Sequence, residues 1–409
     1  MLSFTQHNYY IIHYKFEFFK FFPKESDNLS VAGIIAEFNP LHNGHKYLID
    51  CAKKENNTVV CVISGNFVQR GDVAIIPKFK RAEAALLCGA DLVVELPTPW
   101  AMSTAQNFAL GGVSQLSALG IDRLYFGSEC GDSKLLEKIA DILICDEFNN
   151  SLKAKLNTGE TFAKIRTDVL RQFCGKDAEL LCSPNDTLAV EYICAAKKLG
   201  LNLKYRAVKR LGTDHDAVNA SGNFASSSFI RNSREKCEIY MPKESFDVFN
   251  SSPKASIERL DTAIMSKLRL SDEDIFKTLP DISEGLDKLI AKEVKSSLSF
   301  SQLCDNVKSK RYTHARIRRI LLSAFLGIDA SFFLKEPPYV RVLAMNSTAT
   351  PLLSSKIKPI ITKTSMINEL DDFSKELFEL ENKINSVYAL SLDDPNKFTN
   401  EMSERLIKM

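Results

Sequence analysis

The stretch Gly33-Ile34-Ile35-Ala36-Glu37-Phe38-Asn39-Pro40-Leu41-His42-Asn43-Gly44-His45-Lys46 decides how this chain folds. Val31 to Ala36 is an apolar run of strand length. Asn39-Pro40 ends it in a tight turn, and a helix is expected from about Asn43 to Lys54. Its first turn carries two histidines three residues apart, on one helical face. A helix N-terminus offers free N–H groups and a partial positive charge, which suits an anion. Gly44 removes a side chain where a nucleotide would approach the backbone. Two imidazoles so placed can donate hydrogen bonds to phosphate oxygens and stabilise the charge that builds up when an α-phosphate is attacked. Two of the chain's six histidines fall in this one turn, which favours a functional pair over two unrelated surface histidines.

Outward from this segment, short apolar runs alternate with helical stretches. Strands are expected at Thr58 to Ser64, Asp91 to Leu96, Ile121 to Phe126 and Leu203 to Lys209. Helices are expected at about Lys78 to Cys88, Thr104 to Leu119, from Ser183-Pro184-Asn185 to Leu199, and from Ser226 to Arg234, with Ser133 to Gly175 largely helical. Largely apolar strands spaced by helices imply a parallel sheet covered on both faces. The fold class is therefore α/β: a Rossmann-like parallel sheet domain over residues 31–245, followed by a mainly helical C-terminal domain over 246–409. One late strand is expected at Tyr339 to Met345, after Pro337-Pro338. Residues 1–30 are rich in Phe and Tyr, interrupted by Lys15, Glu17, Lys20 and Lys24. They read as an appendage, disordered or the product of a start site set too far upstream.

The 409 residues, 45% hydrophobic and 25% charged, suit a globular protein with a sizeable core. The net charge of +2 drives the chain neither to nucleic acid nor to a membrane, so any basic surface must be local. No stretch suits a membrane span, and DNA is not expected as a partner. Ten cysteines without a C-x-x-C pair read as reduced thiols of a cytoplasmic protein.

Other segments gain meaning beside the histidine turn. Ser226-Ser227-Ser228-Phe229-Ile230-Arg231 opens a helix. Alone it is ordinary serine capping; paired with the histidines, Ser227, Ser228 and Arg231 are candidates to hold a β/γ-phosphate or leaving pyrophosphate. Gly127 follows the fourth strand, where a ribose or base could lie against the backbone, or is a simple turn glycine. Asn185 and Arg210 are candidates for nucleotide contact, or a helix cap and a surface charge. Asp214-His215-Asp216 reads as a solvated loop, and no metal site is expected. Lys308 to Arg319, KSKRYTHARIRR, carries six cationic side chains and no acid. Lys308, Lys310, Arg311, Arg316 and Arg319 are the candidates for RNA phosphates, against a plain solvated helix face.

His42-Asn43-Gly44-His45 after a first strand resembles the HxGH signature of the nucleotidyltransferase superfamily. More narrowly, Ala36 to His45, Ser64-Gly65-Asn66-Phe67-Val68-Gln69-Arg70-Gly71, Asp91 to Pro97 and Phe126-Gly127-Ser128-Glu129 resemble the bacterial tRNA(Met) cytidine acetate ligases. The similarity extends through Ser183-Pro184-Asn185 and Lys209-Arg210 and covers the chain from residue 31 onward. The resemblance implies that ATP contacts map to Ile35, Ala36, Glu37, Phe38, Asn39, Pro40, Leu41, His42, Asn43, Gly44, His45, Lys46, Tyr47 and Leu48, with Gly127, Asn185 and Arg210. It implies His42 and His45 as the catalytic pair and ATP, carrying Mg²⁺, as substrate. It further implies acetate and elongator tRNA(Met) as partners, with N4-acetylcytidine at the wobble position as product. The alternatives are a nucleotidyltransferase making a nucleotide cofactor from a small phosphorylated substrate, and a non-catalytic RNA-binding module. An aminoacyl-tRNA synthetase would need a KMSKS-like loop, and Met265-Ser266-Lys267 is its only echo. Acyl specificity, base-pocket residues and oligomeric state are not legible.

Overall fold

The computed structural model describes residues 30–156, 160–210, 222–232, 234–283, 285–309, 312–354, 357–398 and 400–409. Residues 1–29, Asp214-His215-Asp216, Lys310 and Arg311 therefore lie outside the described residues.

Among the described residues ten strands form: β1 (Val31–Ala36), β2 (Thr58–Ser64), β3 (Phe67–Val68), β4 (Asp72–Val73), β5 (Leu92–Leu96), β6 (Arg123–Ser128), β7 (Lys204–Lys209), β8 (Val340–Met345), β9 (Ile360–Ile361) and β10 (Ile407–Lys408). The main sheet runs β10-β8-β5-β2-β1-β6-β7, with β9 also paired to β8. Pairing from β5 through β2, β1 and β6 to β7 is parallel. β3 and β4 form a separate small hairpin. The chain moves from β1 outward to β2 and β5, then returns to the other side of β1 with β6. That reversal makes the carboxyl ends of β1 and β6 the topological switch point, where open α/β sheets bind ligands.

Strand periodicity explains why the apolar runs are nearly continuous. In β2, Val60 and Val62 face one core, while Val59, Cys61 and Ile63 face another. Helices Asn43–Glu55 and Lys78–Leu87 bury Leu48, Ile49, Ala52, Ala82 and Ala85 in the second core. Helices Ala105–Ala118, Ser133–Ile144 and Pro184–Lys198 pack on the opposite face. No helix among the described residues is long and apolar enough to cross a membrane.

The late strand does not stay among the C-terminal helices. β8 joins the main sheet antiparallel to β5, and the chain's last strand, β10, pairs with β8. The mainly helical half thus shares the sheet of the first half. A buried polar cluster closes the join. Lys78 Nζ lies 2.8 Å from both carboxylate oxygens of Glu95 and 2.7 Å from Glu401 Oε2. Arg341 of β8 pairs with Glu401 at 3.2 Å, and Asn385 donates to Glu401 at 3.0 Å. Nearby, Glu381 accepts from the Thr98 hydroxyl at 2.9 Å, and burial, with Glu95 close by, pushes its pKa up to about 8. Burial disfavours the charge on Lys78, but Glu401, Glu95 and Glu381 outweigh it and hold its pKa above the ordinary range.

Removing one member of a buried ion cluster leaves its partners uncompensated. Lys78→Met should cost about 3–5 kcal/mol, read as a lower urea midpoint. An unchanged midpoint would show that the cluster does not hold the two halves together.

Candidate active site

The turn after β1 is built from reciprocal caps. His42 is the N-cap of helix Asn43–Glu55, and its Nδ1 accepts from the N–H groups of Gly44 at 3.1 Å and His45 at 3.4 Å. His45 Nδ1 accepts in return from His42 N–H at 3.3 Å. The rings stack with centroids 3.7 Å apart and planes 19° from parallel. Lys53 and Lys54 in the last turn complement the helix dipole. Gly44 leaves room for the His42 ring: a Cβ there would lie 3.0 Å from His42 Cε1 and 3.1 Å from its Nδ1, a tight contact that would push the ring by a few tenths of an ångström.

Both imidazoles are held neutral. Burial, then the Arg210 cation, lowers the pKa of His42 to about 3. Burial, His42 and Arg210 lower that of half-buried His45 well below the ordinary value. Because Nδ1 of each ring accepts a backbone hydrogen bond, the single proton of each neutral ring belongs on Nε2. The pair therefore offers two N–H donors without a formal charge.

The surrounding residues divide into those that face this turn and those that hold it. Phe38, buried at φ +47°, sets its ring edge-on to His45 at 5.1 Å. The Asn39–Pro40 bond is cis, and Asn39 Oδ1 accepts from Ile75 N–H at 2.8 Å. Leu41 and Leu48 are buried in the second core, and Ile35 lies in the core on the other face. Ala36 is half-buried at the strand end. Glu37 accepts from Gln69 N–H at 2.9 Å. Asn43 donates to Asn223 O at 2.7 Å and Ile239 O at 3.0 Å, so its amide ties the 223–239 segment to the helix. Lys46 pairs with Asp50, and Tyr47 is exposed.

The serine helix, Ser227–Asn232, docks on the same turn. Arg231 donates to Asn39 O at 2.6 Å and to Ser228 Oγ at 3.0 Å, and Ser227 Oγ donates to Pro40 O at 3.4 Å. Across the switch point, Gly127 is the penultimate residue of β6 and lies beside Arg210, whose backbone N–H donates to Ser128 O at 3.0 Å. Asn185 donates to Glu129 Oε1 at 2.6 Å. Asp186 accepts from the Glu129 and Cys130 N–H groups at 3.0 Å and 3.2 Å, and from Ser128 Oγ. Glu129 and Asp186 thus lock the β6 turn to helix Pro184–Lys198. Glu129 belongs to a motif quoted above but is given no role there, and Asp186 is legible only as an acid in the first turn of a helix.

One group of residues missed altogether is the cation behind the turn. Buried Arg81 donates to Glu37 O at 2.7 Å, to Ser64 O at 2.9 Å and to Gly65 O, and its Nε reaches Ile76 O at 3.2 Å. It joins the ends of β1 and β2.

The basic stretch requires a correction. Arg316 and Arg319 do not form a free cationic face: their side chains are 18% and 16% exposed, and both pair with Asp281 at 3.2 Å. Arg319 also donates to Gln69 O at 3.4 Å. The acid that claims them lies 35 residues or more away in sequence, outside the stretch itself. Lys308 is exposed.

A parallel sheet with paired imidazoles at its switch point, flanked by Arg210 and a serine helix, defines a nucleotidyltransferase-type site. Comparison with known proteins agrees. The profile of the HIGH Nucleotidyl Transferase family matches residues 29–403. The tRNA(Met) cytidine acetate ligase of Thermoanaerobacter sp. (strain X514) is 37% identical over 402 residues, 90% of this chain and 99% of the relative. That of Caldanaerobacter subterraneus subsp. tengcongensis is 38% identical over 389 residues, 89% of this chain and 96% of the relative. Among solved structures, Thermotoga maritima TmcAL bound with alpha-thio ATP is similar at TM-score 0.85 and 30% identity, covering 93% of this chain and all of that one (100%). The same protein without ligand gives 0.87. The chain belongs to the tRNA(Met) cytidine acetate ligase family.

Folding keeps the imidazoles neutral, so between about pH 3 and the ordinary value of 6.5 the unfolded chain binds a proton at His42 that the folded chain does not. Stability from this group rises with pH across that window and is lost as pH falls. His42→Gln should lose less stability than the native chain between pH 7 and pH 5, measured by urea melts. An equal loss would contradict the neutral assignment. Gly44→Ala should cut adenylate formation at least tenfold by crowding His42; native activity would remove that role for Gly44.

Proposed function

We propose that this chain is an ATP-dependent ligase that activates acetate and acetylates N4 of the wobble cytidine of elongator tRNA(Met). The observation that carries the reading is the pair of stacked imidazoles at the switch point, each accepting backbone N–H groups at Nδ1 and so leaving Nε2 to donate. It stands in a chain that matches the curated ligases over nearly their whole length.

The chemistry needs activation because acetate is a poor electrophile. A carboxylate oxygen of acetate attacks the α-phosphorus of ATP, the bond to the bridging oxygen breaks, and pyrophosphate leaves. His42 and His45 donate to the phosphoryl oxygens as charge grows, acting as electrostatic stabilisers and not as nucleophiles. Mg²⁺ enters with ATP as the counter-ion of its phosphates. The exocyclic amine of cytidine then attacks the acetyl carbonyl of the adenylate. AMP leaves, the nitrogen loses a proton, and N4-acetylcytidine results. The wobble base is single-stranded in its loop, so it can be splayed into a pocket. Action on tRNA implies a cytoplasmic enzyme.

On this reading, Ile35 to Leu48 with Gly127, Asn185 and Arg210 surround ATP, and Ser227, Ser228 and Arg231 hold the leaving pyrophosphate. Residues 31–245 carry the chemistry, and 246–409 hold the tRNA body. Exposed Lys308 is the remaining described candidate of the basic stretch for RNA phosphate. Arg316 and Arg319 serve the tRNA side indirectly, by fixing Asp281 and the β3–β4 hairpin.

Radiolabelled acetate with ATP, Mg²⁺ and total bacterial tRNA should place label in acid-precipitable RNA. His42→Ala should abolish label and acetate-dependent pyrophosphate exchange, yet leave tRNA binding nearly intact. Exchange without RNA label would mean the acceptor is wrong. Neither signal in the native protein would favour a nucleotidyltransferase that makes a nucleotide cofactor.

A further inference from the structure

Arg70 sits at the tip of the β3–β4 hairpin with its side chain exposed. It makes no hydrogen bond or ion pair among the described residues. The backbone that carries it is nevertheless held from two directions. On the catalytic side, Gln69 N–H donates to the Glu37 carboxylate at 2.9 Å. On the other side lies helix His314–Leu326, where Arg318 donates to Gly71 O at 2.7 Å and pairs with Asp72 at 3.2 Å. Gly71 has φ +71°, and a Cβ there would lie 2.7 Å from Arg318 Cβ and Arg319 N, so both conformation and contact demand glycine. The flanking backbone is fixed, while the Arg70 head group has no hydrogen-bond or ion-pair partner among the described residues.

A second cation, Arg231, donates to Asn39 O at 2.6 Å, two residues on from the Glu37 that holds Gln69. Arg231 is lowered in pKa chiefly by burial; Glu37 and Asp72 oppose this, and Arg70 adds to it. Asp72, the acid of the same hairpin, is engaged by Arg318. Drawing an unpaired guanidinium toward a half-buried one is unfavourable unless an anion joins them. Arg231 is itself hydrogen-bonded to the histidine turn through Asn39 O. Arg70 therefore reaches out at the seam between that turn and the C-terminal helices.

We propose that Arg70 is a phosphate-binding residue of this active site, gripping a phosphate group at the seam together with Arg231. The proposal rests on the ligase reading above. The shared chemistry is a phosphate anion, which fits the β/γ end of ATP or a backbone phosphate of the tRNA beside the target base. Planar guanidinium forks suit either.

Arg70→Gln and Arg70→Lys, shown to be folded by an unchanged melting midpoint, separate the sources. Each is assayed for acetate-dependent ATP–pyrophosphate exchange without RNA, and for acetyl transfer to tRNA across a salt series. A rise of about tenfold in the exchange KM for ATP with Arg70→Gln, partly recovered in Arg70→Lys, supports a grip on the polyphosphate. Native exchange with a rise of about tenfold in the tRNA KM, and a log–log salt slope shallower by about 0.7–0.9, supports a grip on the RNA backbone. Native parameters in both assays overturn the proposal. If the native protein itself shows neither activity, the ligase reading falls, and the role of Arg70 with it.

Discussion

Two stacked imidazoles, each capping the other's backbone at a helix N-terminus, constrain the chemistry of this protein more than any other feature. Each Nδ1 is an acceptor, so each ring can be neutral only as the Nε2–H form. Burial keeps them so, with the Arg210 cation adding to it. A neutral donor pair can approach a polyanion without first giving up a counter-ion. It gains most when charge moves onto the phosphoryl oxygens. The pair also depends on its surroundings. Gly44 leaves room for the His42 ring, Phe38 backs His45, and Arg81 joins the ends of β1 and β2 beneath the turn.

The same turn is mechanically continuous with the C-terminal half. Glu37 holds Gln69, Gln69 O accepts from Arg319, and Arg319 pairs with Asp281. A second connection runs through the buried cluster of Lys78, Glu95, Glu401 and Arg341 and the strand pairing of β8 with β5. A ligase that makes a reactive adenylate and passes its acyl group to a large RNA needs a fixed relation between the two half-sites. These contacts fix the histidine turn and the C-terminal half relative to each other within a single chain.

Much of this was legible in the residues. Apolar runs of strand length, spaced by helices, predicted β1, β2, β5, β6 and β7 nearly to their ends, because buried parallel strands have few alternatives. Asn-Pro and the paired histidines mark the turn, and the serine helix docks on it through Arg231 and Ser227, which bond the turn's carbonyls. What was not legible depends on partners distant in sequence. β8 reads as a strand, but nothing local says that it pairs with β5. Arg316 and Arg319 read as a charged face because Asp281 is remote. Asn43 reads as a ligand contact, and only the fold shows that its side-chain amide also donates to the Asn223 and Ile239 carbonyls. Arg81 lies in an ordinary helical run, and only the fold reveals that its guanidinium is wholly enclosed by carbonyl groups.

The most direct test of the account is the protonation state of the two imidazoles, read by nitrogen NMR on protein labelled in histidine, with and without ATP. The account predicts that at pH 7 both rings carry a proton on Nε2 and none on Nδ1, and that ATP shifts the Nε2–H signals of His42 and His45 while the tautomers persist. An imidazolium at either position, a proton on Nδ1, or Nε2–H signals indifferent to ATP would contradict it.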